Sequence, residues 1–357
     1  MSMRLLGISV LSIGLVATLH AQQAAPLRVV AITPKGDIDQ RDDANEIRVV
    51  FSEPMIALGR NPDTQPSWFH IAPAVDGSYR WSGTSILVLT PNPAKPLPLS
   101  TAYRITIDRG AASASGHALA AAETATFTTP TVKLLSARWA RQGGRFDAAV
   151  TLALTFNQPV RPADVLAHTV VRHAAHDFDI TPMSADARAR LTATDAAGLA
   201  RYDAKMAQAR ATYASTAPVA LRLATNWDRA RFKEQPEMVV LETTTVPAPG
   251  AWLGITIDAR MPSPAGAATP AAAQTSTAEL ERPLFVQGVS CDTNCEPSAY
   301  NGMGFTAAIR TQSFAQALTV RDVTTPAREA AVARKTPPST GGSNDGSYGS
   351  DGSQRTP

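Results

Sequence analysis

Two short phrases occur twice in this chain, in the same order, and they constrain the fold more than any other feature. The first is Phe, a small polar residue, Glu or Gln, and then Pro, written "FSEP" at 51–54 and "FNQP" at 156–159. The second is "ITID", found at 105–108 and again at 255–258. Repetition at the scale of a domain indicates tandem modules that share one fold.

The first phrase has the pattern of a strand end. Each copy follows an apolar run, and proline belongs at a strand end because it cannot donate a hydrogen bond to a neighbouring strand. Glu53 in the first copy is replaced by Gln158 in the second, and an amide does not titrate, so this position cannot require a general acid. We therefore predict a strand-exit motif that consists of Phe51, Glu53, Pro54, Phe156, Gln158 and Pro159.

Residues 27–130 contain short alternating or β-branched runs separated by Gly, Pro, Asn and Asp. The runs are "LRVVAIT", "EIRVVFS", "SWFHIAP", "GSYRWSG", "TSILVLTP", "TAYRITID" and "TATFTTP". Regularly spaced short strands with turn signals between them indicate a β-sandwich or barrel. The sequence therefore predicts an all-β fold of tandem Ig-like sandwiches, the first of which is at 27–130.

The second module carries an extra helical stretch. The two phrases lie further apart in the second copy, and the Ala-rich residues 184–215 together with their flanking residues account for the difference. Ser184 is a suitable N-cap, and "TATDAAG" divides the stretch into two helices. We predict a second β-sandwich at 131–282 with a helical insert at 184–215, whose apolar stripe is a packing face.

A third copy is incomplete. "LFVQGVSC" resembles an opening strand, and Thr311, Gln312 and Ser313 stand where Asn-Gln-Pro stood in the second copy. We predict an incomplete third β module with a cysteine pair at 283–325. Residues 326–357 are rich in Gly, Ser and Asp, a composition that predicts a disordered tail.

The N-terminal residues 1–21 have the pattern of a signal peptide. Arg4 precedes the uncharged apolar run 5–19, and the small residue Ala21 follows at a suitable cleavage position. The alternative is a membrane anchor, which needs about 20 apolar residues and therefore a longer run. The mature chain is expected to be periplasmic or secreted, with no membrane span after cleavage.

The chain has two cysteines, Cys291 and Cys295. In an oxidising compartment a close pair is most simply a disulfide. A redox dithiol and a metal site remain open as alternatives. The thioredoxin-type motif has two intervening residues rather than three, and a zinc site would need two further ligands.

Composition and motifs argue against several functional classes. The net charge of +3 comes without a Lys/Arg block, which argues against a nucleic-acid partner. The sequence has no P-loop, nucleophile elbow or HExxH motif. His173 and His176, with Asp177 and Asp179, form the one metal-like cluster. Residues three apart on a strand face opposite sides, so we interpret the cluster as a solvated strand end, with a loop metal site as the alternative. We predict a non-enzyme with no cofactor and no metal.

The residues also carry a family resemblance. "VVFSEPM", "YRWSG", "ILVLTPNPAKPLPLSTAYRITI" and "ATFTT" resemble bacterial Ig-like domains of envelope and surface proteins. With "FNQPV" in the second module, residues 27–325 are similar to the N-terminal region of bacterial α2-macroglobulins. The resemblance implies macroglobulin-type sandwiches of a protease trap, with secreted proteases or cell-envelope proteins as partners. That family captures proteases through a Cys-Gly-Glu-Gln thioester, which neither cysteine begins here.

A different class of function remains as the alternative. The same fold could serve as a cell-surface adhesion or polymer-binding module. Trp68, Phe69 and Trp81 would then have to form a contiguous exposed platform.

Overall fold

The computed structural model describes residues 26–290, 302–309, 314 and 316. By their contacts the residues form two compact units. One holds the chain up to Lys35 with Ala44–Pro96 and Tyr103–Thr126, and the other holds Gly36–Asp43, Leu97–Ala102 and the chain from Phe127 onward. The domain boundaries given above stay predictions, because these units are not contiguous segments.

Every β run predicted in the first repeat contains a strand, and one two-residue strand is additional. The strands are β1 (Val29–Thr33), β2 (Gly36–Asp37), β3 (Ile47–Phe51), β4 (Phe69–Ala72), β5 (Gly77–Ser82), β6 (Ile86–Pro91), β7 (Ala102–Ile107) and β8 (Glu123–Thr128). Short runs of β-branched and aromatic residues bounded by turn formers favour such strands.

Two sheets face each other in the first unit. One is antiparallel in the order β1-β3-β6-β5. The other contains β8, β7 and β4 in that order, and β2 pairs in parallel with the last two residues of β8. Phe69 of β4 meets Tyr79 of β5 edge-on at 5.8 Å between ring centroids. Val49 and Ile105, one from each sheet, are fully buried. Two sheets with a shared buried face make a β-sandwich.

The second repeat has the same design with helices added. Its elements are β9 (Leu134–Arg141), β10 (Val150–Phe156), α1 (Pro162–His168), β11 (Thr169–His173), α2 (Ala185–Thr194), α3 (Ala196–Tyr213), β12 (Pro218–Val219), β13 (Leu221–Leu223), β14 (Met238–Thr243), β15 (Trp252–Ile257) and β16 (Gln274–Glu279). The sheet orders are β9-β10-β14-β13 and β12-β11-β15-β16. The first of these matches β1-β3-β6-β5, and β11-β15-β16 matches β4-β7-β8. The prediction of an all-β fold of tandem Ig-like sandwiches is confirmed.

A single core joins the two sheets of the second unit. The buried side chains come from both sheets, and they include Leu152, Leu154, Leu241, Val171, Leu253 and Ile255. The alternation along each strand places one set of side chains in this core.

The helical insert lies between β11 and β12. Ser184 caps α2 by accepting a hydrogen bond from the backbone N–H of Ala187, and Asp195 caps α3 by accepting one from Gly198 at 2.8 Å. The division at Asp195 lies within the predicted "TATDAAG" break. Helix α3 buries Met206 and other residues of one face against a small cluster that includes Ile180 and Phe285. The α3 stripe is therefore a packing face. Helix α1, which was not predicted, is short and begins with a proline, which suits the first helical position.

The same register irregularity opens both repeats. Val29 is paired with Phe51, and after a bulge at Val30 the ladder resumes at Ala31. In the second repeat Leu134 is paired with Phe156, and the bulge falls at Leu135. Strands β3 and β10 thus end at the Phe of the repeated phrase, opposite a bulge in their neighbour. A bulge of this kind bends the strand and leaves one residue unpaired.

A third strand pair repeats this register. β17 (Val286–Ser290) and β18 (Gly302–Phe305) are antiparallel, with Val286 opposite Phe305 and a shift before Gly288. The residue after each Phe also repeats its hydrogen bonds. Thr306 Oγ1 accepts from the Phe285 N–H at 2.7 Å, as Asn157 Oδ1 accepts from the Lys133 N–H at 2.8 Å.

By this register Phe305 stands in the place of the Phe of the phrase. Thr311, Gln312 and Ser313, which were predicted to stand where Asn-Gln-Pro stood, lie outside the described residues, so that comparison stays a prediction. The register places Thr306 at the Asn position, and Ala307 follows where the second copy has Gln. Two alanines, Ala307 and Ala308, thus follow Thr306 where the second copy has the Gln-Pro pair.

Several predictions fall outside the described residues. They are the signal peptide at 1–21, the disulfide between Cys291 and Cys295, and the tail at 326–357. In the part of the chain that the structure describes, none of the helices has both the length and the apolar character that crossing a membrane requires.

Candidate functional site

In the first unit the side chain of Glu53, in the first phrase, contacts the loop that follows the second phrase. Glu53 follows β3, while Ser115 and His117 lie in the loop after β7. Ser115 Oγ donates to Glu53 Oε2 at 2.8 Å, and His117 Nδ1 lies 2.9 Å from the same oxygen. The N–H of Ala114 also donates to the Pro54 carbonyl at 2.8 Å. We call Glu53, Ser115 and His117 the loop clip, because their contacts hold this loop against the strand exit.

Gln158 makes the equivalent connection in the second unit. Ser263, in the loop after β15, donates to Gln158 Oε1 at 2.9 Å. The Gln158 amide nitrogen donates to Ser100 Oγ at 3.1 Å. Gln158 is 1% exposed and Ser100 is fully buried, so these polar groups satisfy one another away from water. The third residue of the phrase thus has a role beyond ending a strand, since it connects the exit to the loop after the second phrase.

A close backbone approach accompanies the Gln158 contact. A Cβ built on Gly266 would lie 2.2 Å from the Ser100 carbonyl oxygen. The N–H of Ala268 donates to that same carbonyl at 2.7 Å. Any residue other than glycine at 266 would push the two segments apart.

The loop clip contains the residue types of a hydrolase triad without its geometry. In a triad the histidine bridges the serine and the acid, and it accepts the hydroxyl proton. Here Ser115 Oγ donates directly to Glu53, and it lies 3.5 Å from the same His117 nitrogen that contacts Glu53. The imidazole is therefore not placed between nucleophile and acid, and the arrangement stabilises a loop.

These hydrogen bonds stabilise the ionised form of Glu53. The hydrogen bond from His117, followed by that from Ser115, lowers the pKa of Glu53 below its ordinary value of 4.5. A carboxyl group with a lowered pKa stabilises the fold above its unfolded pKa, and this contribution is lost as the pH falls through the folded pKa. The loop clip should therefore stabilise the first unit at neutral pH and cease to do so in acid.

We expect Glu53→Gln, which copies the residue of the second repeat, to lower the melting temperature at about pH 7. The difference from the wild type should shrink when both proteins are measured at an acidic pH below the lowered pKa of Glu53, where the wild-type carboxyl is protonated. Differential scanning calorimetry at the two pH values gives the comparison. Glu123→Gln, at an exposed position of β8, is the control. A difference of the same size at both pH values would contradict the assignment.

The two histidines of the metal-like cluster lie in different environments. His173 ends β11, as predicted, and partial burial lowers its pKa. The prediction that His176 is solvated is wrong. Its ring stacks on Trp252 at 4.1 Å and also contacts Tyr213 at 4.3 Å between ring centroids. Across the described residues there is no group of three or more His, Cys, Asp or Glu side chains that could hold a metal ion. His176 is thus part of the packing around α3, while Asp177 and Asp179 are exposed.

The three aromatic residues of the adhesion alternative belong to the first core. Phe69 and Trp81 are buried. Trp68 packs edge-on against Phe51 at 5.5 Å and lies 6.4 Å from Trp81. Trp68 and Trp81 pack on one another and Phe69 packs on Tyr79, so the three rings do not form a contiguous exposed platform.

A cleft of about 300 Å³ lies in the second unit. Its walls are the segments 37–39, 129–133 and 269–272, with Asn157 and Gln274. The Asn157 amide donates to the Thr131 carbonyl and the Gln274 amide to the Val132 carbonyl, both at 2.9 Å. Each of these side-chain amides uses one of its donors to fix the backbone of the cleft wall.

Ser115, His117 and Ser263 were not predicted as part of a site. Each lies in a loop of small residues that follows the second phrase. The recurrence of a small-residue loop after both copies of "ITID" is a sequence signal for this position. It does not reveal that Glu53 and Gln158 are the residues that the loops contact.

Comparison with known proteins gives one family match. Residues 23–129 match the family model described as bacterial Ig-like domain. None of the curated proteins matches the chain. Among solved structures, the chain is similar to a fragment of native alpha-2-macroglobulin from Escherichia coli that spans domains MG0-NIE-MG1. The identity is 14%, the TM-score is 0.22 and 75% of each chain is covered, a likeness too low to carry an argument.

Proposed function

We propose that this chain is a non-catalytic, extracytoplasmic binding protein that forms the N-terminal portion of an α2-macroglobulin-type endopeptidase trap, without bait and thioester. The observation that carries the proposal is the repetition of the sandwich, in which the third residue of the repeated phrase contacts the loop after the second phrase. The match of residues 23–129 to a bacterial Ig-like domain supports the module type. The resemblance of the repeated phrases to bacterial α2-macroglobulins supports the assignment to a trap.

Any contact with a protease would then be non-covalent. Covalent capture needs a Cys-Gly-Glu-Gln thioester, and in this sequence Asp-Thr-Asn follows Cys291 and Glu-Pro-Ser follows Cys295. The location outside the cytoplasm rests on the predicted signal peptide. In this proposal the sandwiches offer a scaffold of strands and loops to a secreted protease or an envelope protein.

The proposal predicts association with a protease without bond formation or inhibition. Purified protein would be incubated with a panel of secreted serine proteases and then analysed by size-exclusion chromatography and denaturing electrophoresis. We expect a complex with at least one protease on the column, no shifted band on the gel, and unchanged cleavage of a small peptide substrate. A protease blocked at its active site distinguishes association from digestion.

Two results would overturn the proposal. A protease-dependent band that survives denaturation would show covalent capture. A panel that yields no complex at any concentration tested would remove the protease as the partner.

A further inference from the structure

The β17–β18 pair exposes apolar side chains where the first two repeats bury theirs. Leu284 is 40% exposed and Met303 is 41% exposed. By strand register, Leu284 is equivalent to Leu27 in the first repeat and to Val132 in the second. Met303 is equivalent to Val49 and Leu154. These four equivalent residues are at most 1% exposed. Within the part of the chain that the structure describes, this third pair therefore has the inner face of a sandwich sheet but no partner sheet over it.

The second repeat shows what covers this face. Val171, on β11, is 2% exposed and belongs to the same buried cluster as Leu154 and Val132. β11 is the first strand of the opposite sheet that the chain forms after it leaves β10. The side chains that fit this face are thus those of a strand with alternating apolar residues.

Phe314, which lies beyond β18, corresponds to a buried helical residue of the second repeat. Phe314 meets Phe305 edge-on at 5.3 Å between ring centroids. Counted from the Phe that ends the strand, Phe314 stands where α1 has Val165, which is fully buried in one cluster with Phe156. Residue 314 is also helical, as Val165 is.

The same count places a strand-like segment at the β11 position. Residues 318–322 stand as far after Phe305 as β11 stands after Phe156, and they read "LTVRD" against "TVVRH" for β11. Val320 occupies the position equivalent to Val171, which is buried, and Thr319 occupies the position equivalent to Val170, which is exposed. Arg321 is equivalent to Arg172, so the two segments share the pattern of apolar and charged positions.

We propose that the inner face of the β17–β18 pair is the docking surface for residues 318–322 of this chain. Leu318 and Val320 would cover Leu284, Met303 and Phe305, as β11 covers their counterparts. The proposal is independent of the function proposed above, because it rests on register and burial within the chain.

Oxidation of Met303 in the full-length protein tests this occupant. Hydrogen peroxide converts an accessible methionine to its sulfoxide, and mass spectrometry measures the rate for each methionine separately. We expect Met303 to be protected in the wild type and to oxidise several-fold faster in Val320→Asp, because a carboxylate at the inward position would be expelled from an apolar face. Thr319→Asp, at the outward position, should leave the rate at the wild-type value.

The other methionines show whether the fold is intact. Met261, which is fully buried in the second core, should oxidise slowly in all three proteins. Equal oxidation of Met303 in the wild type and in Val320→Asp would overturn the proposal. Protection that appears only as protein concentration rises would also overturn it, because the occupant would then be a second copy.

Discussion

Replacing Glu281 with alanine should destabilise the second unit by about 3–5 kcal/mol, because it leaves a buried guanidinium without its counter-ion. The Arg141 side chain is 4% exposed, and its Nε donates to Glu281 Oε1 at 2.9 Å. Its Nη1 donates to the Ala148 carbonyl at 2.9 Å, so one neutral acceptor would remain after the substitution. A carbonyl alone does not compensate a full positive charge inside the protein.

Urea unfolding, followed by intrinsic fluorescence, measures this loss. Trp139 and Trp252 report on the second unit. Asp147→Ala is the matched control, since the pair between Arg145 and Asp147 lies on the surface and should contribute less than about 1 kcal/mol. If Glu281→Ala cost no more than the control, the buried pair would not stabilise the fold as argued.

Phe156→Ala should cost about 3–5 kcal/mol of unfolding free energy through the cavity it creates. Phe156 is fully buried in the second core, where it ends β10. The substitution removes a large ring beside Gln158, whose hydrogen bonds to Ser100 and Ser263 depend on where the strand ends. The loss therefore includes both the core contacts and the position of the exit.

The control for this prediction is Leu135→Ala. Leu135 is the bulged residue opposite the same strand end, and it is exposed. Its truncation should change the unfolding free energy by less than about 0.5 kcal/mol. Urea unfolding compares the two variants, and losses of similar size would show that Phe156 is not a core residue of the second sandwich.

The strands were predictable from sequence where burial alternates along them. β3 and β7 show apolar and polar residues in turn, and each was recognised. β16 was missed because "QTSTAE" is polar and carries one buried residue, although its pairing with β15 is regular along its length. Its strand structure comes from that partner, which a local pattern does not show.

The candidate site was predictable only in part, for a similar reason. The replacement of Glu53 by Gln158 in the second copy indicated that the position does not require a general acid, and both residues do follow a strand end. Their partners Ser115 and Ser263 lie far along the chain, in loops whose lengths differ. Only the folded sandwich brings the strand exit and the loop after the second phrase together.

The bulges at Val30 and Leu135 have a consequence for assembly. Both lie on strands at the edge of their sheets, β1 and β9, where unpaired N–H and C=O groups could recruit another chain. A chain that repeats one sandwich has several edge strands of similar sequence, so an edge strand of one module could pair with that of another. A bulge interrupts the regular ladder that an incoming strand would need. The irregularity that aligns the repeats therefore also disfavours edge-to-edge pairing of such strands.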